Sequence, residues 1–238
     1  RELFDVGKKF RKAGKLDSAF NYFEKAGKLS SQLKYTEGNG HSLFFMALIC
    51  KDRGDYDLAL KNHDSAIAIM KKLGLKKHLA SNYNARGLLF RILGKHLDAL
   101  TDLFKALKMR EDLKDSAGIA ATLANIGSVY DEQNNFDKAF EKHFQSIAIR
   151  KAIGDSVGIA VCYNNIAGIY TEQKKYAEAM KYQMMSMTIE ERAGNIQRLA
   201  TSYNNLGVIY QNQQKYDSAL KSHLKALKSK VEIGSKVA

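Results

Sequence analysis

The chain has 238 residues, 45% hydrophobic and 26% charged, with no proline and two cysteines. That balance suits a folded globular chain, and two cysteines cannot make a disulfide-stapled scaffold. No apolar run approaches the ~18–20 residues of a membrane span, and the net charge of +13 is spread over 38 basic and 25 acidic residues without a basic run longer than two.

Residues 1–34 already show the plan. Gly7 lies in a first apolar stripe and Ala19 and Ala26 in a second, with Lys12 to Lys15 between them. Residues 35–74 repeat it with Ala47, Ala59 and Ala66, and residues 75–114 with Gly87, Ala99 and Ala106. The fourth copy, 115–154, is the clearest. Leu123, Ile126, Gly127 and Tyr130 form one stripe at helical spacing, and Phe136, Ala139, Phe140, His143 and Ile147 form the next. The polar stretch from Asp131 to Asn135 separates them. Residues 155–194 and 195–238 complete six copies, with Ala167, Gly207, Ala179 and Ala219 in register. A fixed spacing of 40 residues is the mark of a stacked repeat.

Each copy therefore predicts two helices of about 16–18 residues joined by a short turn. Gly14, Gly54 and Gly94 sit where a helix end needs a left-handed residue, and Gly74, Gly154, Gly194 and Gly234 close the second helices. Asp115, Asp155 and Asn195 are placed to cap the helices that follow. Gly7, Gly87, Gly127 and Gly207 are each expected to pack on the alanine twelve residues on, because removing side-chain bulk lets two helices cross closely.

These columns resemble the tetratricopeptide repeat: in the last copy Tyr203, Leu206, Gly207, Tyr210, Ala219, His223 and Ala226 match its pattern. The period is 40 rather than the usual 34 and the closing proline is absent, a form similar to the repeats of kinesin light chains, spindle-orientation adaptors and many bacterial signalling proteins. The resemblance implies an all-α, right-handed superhelical solenoid of six helix–turn–helix repeats, spanning 1–238 as a single array. It also implies a protein or extended peptide as ligand in a concave groove. Arg86 breaks an aliphatic column and Cys50 replaces an aromatic, so local packing is in question there.

No phosphate loop, nucleophile elbow, paired metal-binding histidines or Cys-x-x-Cys is present, so no enzyme, cofactor or metal site is expected. His63, His143 and His223 share one column two repeats apart and read as core residues. His41, His78 and His96 show no ligand spacing.

Helical geometry leaves a second face on each first helix. It carries Thr201, Asn205, Val208 and Asn212 in the last copy, Val161, Asn165, Gly168 and Glu172 in the fifth, and Ala121, Asn125, Ser128 and Glu132 in the fourth. Small residues with one asparagine each would line a groove. In tetratricopeptide relatives such a column is similar to a ladder that holds a peptide backbone. Asn125, Asn165 and Asn205 are the candidates, the alternative being bonds to neighbouring helices. Toward the N-terminus the face carries Phe45, Leu48, Leu88 and Ile92, an anchor pocket or simply buried helix contacts. Arg86, Arg91, Lys8 and Lys12 lie beside it and would favour an acidic end of a ligand.

The expected role is a non-catalytic binding scaffold, the interaction or sensor domain of a larger signalling protein. The alternative is a basic module for nucleic acid or an anionic surface, betrayed by steep salt dependence. The chain begins at Arg1 inside a repeat and reads as a piece of a longer, cytoplasmic protein, or a periplasmic one should a leader precede it. Too little sequence follows Val231 to cover the last repeat, so apolar surface is expected there, open to self-association.

Overall fold

The computed structural model describes residues 2–235, all helices and short turns. In chain order the helices are α1 (Glu2–Lys12), α2 (Leu16–Gln32), α3 (Thr36–Arg53), α4 (Tyr56–Lys72), α5 (Lys76–Ile92) and α6 (His96–Asp112). They continue as α7 (Ser116–Glu132), α8 (Phe136–Ala152), α9 (Ser156–Glu172), α10 (Tyr176–Arg192), α11 (Ile196–Asn212) and α12 (Tyr216–Ser235). The architecture is the expected all-α solenoid of helix pairs, two helices for each 40 residues, with no strand among the described residues. Two compact units divide it, Arg1–Asp115 and Ser116–Ala238.

Within each unit every helix packs on the next in sequence. In addition, first helices touch across the single helix between them: α3 meets α5 in the first unit, and α7 and α11 both meet α9 in the second. First helices thus crowd together on one side of each unit, and that is the side on which a groove can form.

The backbone repeats at half the sequence period. A left-handed residue follows each helix from α1 to α11, at Gly14, Lys34, Gly54, Gly74, Gly94, Lys114, Asn134, Gly154, Lys174, Gly194 and Gln214. Each turn carries the same pair of bonds: Gly94 N–H donates to the Arg91 carbonyl and Lys95 N–H to that of Phe90, both at 2.9 Å. This is the Schellman arrangement, which satisfies carbonyls the helix leaves over. Asp155 and Asn195 then cap α9 and α11, accepting from Gly158 N–H at 2.8 Å and Arg198 N–H at 3.2 Å.

A side chain at positive φ costs about 1 kcal/mol or more, except on glycine. Gly154→Ala should therefore lower stability by about 1 kcal/mol. Lys174→Gly should raise it by up to about that much, less the extra freedom glycine gives the unfolded chain. Urea denaturation of both variants checks this; a Lys174→Gly chain less stable than its parent would contradict the shared turn geometry.

The nearest neighbours of the glycine column are large side chains of the partner helix. A Cβ on Gly7, Gly127 or Gly207 would meet Phe23, His143 or His223, sixteen residues on, at 2.9, 2.9 and 2.6 Å. At Gly87 the nearest neighbour is Leu103, and the carbonyl of Ala99, the alanine twelve residues on, follows at 3.1 Å. Glycine here makes room for a large side chain of the partner helix. The alanines form a separate buried column, with Ala19, Ala59, Ala99, Ala139 and Ala179 fully enclosed.

Both cysteines are buried and free. Cys50 fills the place of an aromatic in a cluster with Ala59 and Leu89, bordered by Phe20, Tyr56, Leu60 and Leu93. Arg86 is accommodated differently. It donates two bonds to Asp102, from Nε at 2.6 Å and Nη2 at 3.0 Å, and a third to Asp64. Its guanidinium also lies over Tyr83 and Phe90, 5.6 Å from each ring centroid. Burial alone would lower its pKa, but the bond and charge of Asp102, then those of Asp64, outweigh burial and raise it.

Candidate functional site

In the second unit α9, α10 and α11 enclose a cavity of about 300 Å³. Gly168 and Glu172 of α9 and Asn205, Val208 and Asn212 of α11 line it, five of the residues that helical geometry had placed on this face. Thr171 and Gln183 complete its polar lining. Nothing lies within 4 Å of where a Cβ on Gly168 would be, and Val208 is 44% exposed. The opening therefore exists because α9 carries no side chain at that point.

Gln183 is the polar residue that sequence reasoning missed. Its side chain is fully buried, and neither amide atom has a hydrogen-bond partner among the described residues. A buried amide left unpaired costs on the order of 1–3 kcal/mol. The signal was legible: Gln183 stands in the column that holds Phe23 and Leu103, where an amide has no packing advantage.

The asparagines behave unequally. Asn205 donates to Asn164 Oδ1 at 3.0 Å, tying α11 to α9. Asn165 is half-buried on α9 outside the cavity lining, and Asn125 is half-buried on α7. One ladder member thus lies at the cavity and the other two do not.

In the first unit α1 and α3 form a cavity of about 410 Å³, lined by Phe4, Asp5, Lys8, Tyr35, Gly38, His41 and Phe45. Phe45 stacks on Phe23 with centroids 4.7 Å apart, and Lys8 Nζ lies 5.2 Å from the Phe45 centroid. Lys8 and Phe45 are thus brought together. Leu48 and Leu88 are half-buried, Ile92 is 47% exposed, and none of the three lines this cavity. Lys12 is exposed at the end of α1, and Arg91 is half-buried on α5. Arg86 is the correction. Asp64 and Asp102 hold it, so it serves packing and cannot turn to a ligand's acidic end without giving up both partners.

The histidine column is core, as its spacing indicated. His63 and His143 are fully enclosed, and burial pushes each imidazole down to about 4. His223 Nδ1 lies 3.3 Å from Asn204 Oδ1. On α12 the stripe Tyr216, Leu220, Leu224, Leu227 and Val231 is exposed, each residue more than half. No helix among the described residues is long and apolar enough to cross a membrane.

A family model described as "Tetratricopeptide repeat" matches residues 39–112, 78–152 and 153–230. No curated protein sequence matches the chain. Among solved structures, the apo form of RapI superimposes with a TM-score of 0.81 at 15% identity, over 98% of this chain and 83% of that one. BtubC (BKLC) from P. vanneervenii gives 0.75 at 15% identity, with 92% of each chain covered. The apo form of the quorum sensor NprR from B. thuringiensis gives 0.72 at 15% identity, over 96% of this chain and 64% of that one. At such identities these likenesses establish the fold.

Proposed function

The chain belongs to the tetratricopeptide repeat family, and on that premise we propose that it is a non-catalytic scaffold that binds an extended segment of a partner protein. The binding face is the side lined by the first helices, and the role is that of an interaction or sensor domain. NprR, which shares the fold, is a quorum sensor.

Gly168 carries this reading. Glycine inside a helix costs about 0.5–1 kcal/mol relative to alanine. Nothing packs where its side chain would be, so the core does not require it. The equivalent positions hold Leu48, Leu88, Ser128 and Val208, so the repeat does not require it either. What the missing side chain does is keep the cavity open. Gln183 supports the same reading, since a peptide group offers the donor and acceptor that its amide lacks. Asn165 and Asn205, with Asn125, are proposed to hold backbone, Lys8 and Lys12 an acidic end, and Phe45 an apolar side chain. Leu48, Leu88 and Ile92 would extend that apolar strip outside the cavity.

Peptides selected from a random display library on the wild-type chain supply the probe. Gly168→Arg should weaken their binding by about a hundredfold or more, since its long side chain fills the space a bound segment would occupy. The melting temperature should hold or rise, because the glycine penalty is gone. Equal affinity for wild type and Gly168→Arg would refute the site. Binding of a single-stranded oligonucleotide that falls steeply with salt, with no peptide selected, would favour the nucleic-acid alternative.

A further inference from the structure

We propose that Glu37, His41 and His78 form a binding site for a divalent transition metal ion of the Zn²⁺ class. Their ligand atoms all lie within 4.8 Å of one another, and all three residues are half-buried. His41 Nε2 is 3.5 Å from Glu37 Oε1. Two ligands on one tetrahedral zinc, each ~2.0–2.2 Å from the ion, sit roughly 3.3–3.5 Å apart, so this edge of the site already has the required length. His78 must close by about an ångström, a rotamer adjustment on a half-exposed side chain.

The fold makes the juxtaposition. Glu37 and His41 are one turn apart on α3, and α5 touches α3 directly, past α4. The 40-residue register sets His78 beside Gly38, between those two ligands. The His41 and His78 rings meet edge to face with centroids 4.3 Å apart. Burial and then His41 lower the pKa of His78, with Lys77 adding to this and Glu37 opposing it. A neutral imidazole is the form that binds metal. His41 also lines the 410 Å³ cavity, so a fourth ligand can come from water or from a bound molecule. Spacing along the chain does not reveal this cluster, because the two histidines are 37 positions apart and only the register of stacked first helices unites them.

The test uses the chain free of any histidine tag. Titration with Co²⁺ should give a saturable visible absorption at one equivalent, displaced by Zn²⁺, and Zn²⁺ should raise the melting temperature. His41→Ala and His78→Ala should each weaken binding tenfold or more, and Glu37→Gln by ten- to a hundredfold. His96→Ala, elsewhere in the unit, should change nothing. Imidazole NMR of the unaltered chain gives a readout that no folding defect can confuse: Zn²⁺ should shift the His41 and His78 signals and leave His63 in place. No saturable binding, affinity unchanged in His78→Ala, or shifts confined to other histidines would overturn the proposal.

Discussion

Arg86→Met should cost the chain about 3–5 kcal/mol of stability, among the largest losses any single substitution can cause here. Asp102 is the reason. The residue is 2% exposed, and Arg86 supplies two charge-assisted bonds to its carboxylate. Lys105, on the same helix and 49% exposed, approaches only to 3.7 Å. Taking Arg86 away therefore leaves a buried charge with a distant and screened partner. The equivalent positions in other repeats hold Val6, Met46, Ile126, Ile166 and Leu206, so methionine fits the space. Arg86→Met combined with Asp102→Asn should recover most of the loss, because nothing charged then remains buried. Denaturant melts of both singles and the double complete the cycle, whose coupling should be ~0.5–3 kcal/mol or more. Additive losses would mean that Asp102 is solvated without Arg86 and that the pair is ornamental to the core.

That pair also shows where a one-dimensional reading fails. Arg86 departs from its column, and the departure was visible; its resolution was not, because Asp64 and Asp102 come from two different helices that meet it from either side. The pairing of helices was legible, since two apolar stripes at helical spacing recur every 40 residues with a turn between them. The halved period of the turns was hidden, because the left-handed position is glycine in some turns and lysine, asparagine or glutamine in the rest. On the candidate site, helical geometry placed Gly168, Glu172, Asn205, Val208 and Asn212 on one face. It could not show that Asn205 would spend its amide on Asn164, which needs the distance between two first helices. Gln183 went unread for a different cause. Its column is a packing column, and a buried amide there matters only where its partners are missing.

Acid should destabilise both units through one column, with two different outcomes on mutation. His63 and His143 are enclosed, and each titrates in the fold at about 4 against 6.5 when unfolded. Between those values the unfolded chain binds more protons than the folded one, so stability is complete above pH 6.5, falls as pH drops, and levels off below about 4. Each histidine accounts for roughly 3 kcal/mol across that window. The surroundings of the two rings differ. Around His63 the Arg86 charge disfavours protonation, while Asp64, Asp102 and the bond to Asn82 favour it; around His143 burial acts alone. His63 Nδ1 lies 2.7 Å from Asn82 Oδ1, and the other end of that amide donates to Met70 Sδ at 3.2 Å. The ring nitrogen is therefore the donor, and His63→Leu would leave the Asn82 carbonyl buried and unpaired. That variant should lose about 1–3 kcal/mol at neutral pH while shedding its share of the acid response. His143 has no partner on either ring nitrogen among the described residues. Leu103 already fills the same place against Gly87, as His143 does against Gly127. His143→Leu should therefore gain about 1–2 kcal/mol at neutral pH and more in acid, since it removes an unpaired buried donor and a proton-binding site together. Hydrogen exchange in α4 and α8, followed from neutral pH to about 4, reads each effect in the unit where it arises. A His143→Leu chain that loses stability at neutral pH, or an α8 whose protection still collapses in acid after the substitution, would show that the ring is hydrated and not sealed in the core.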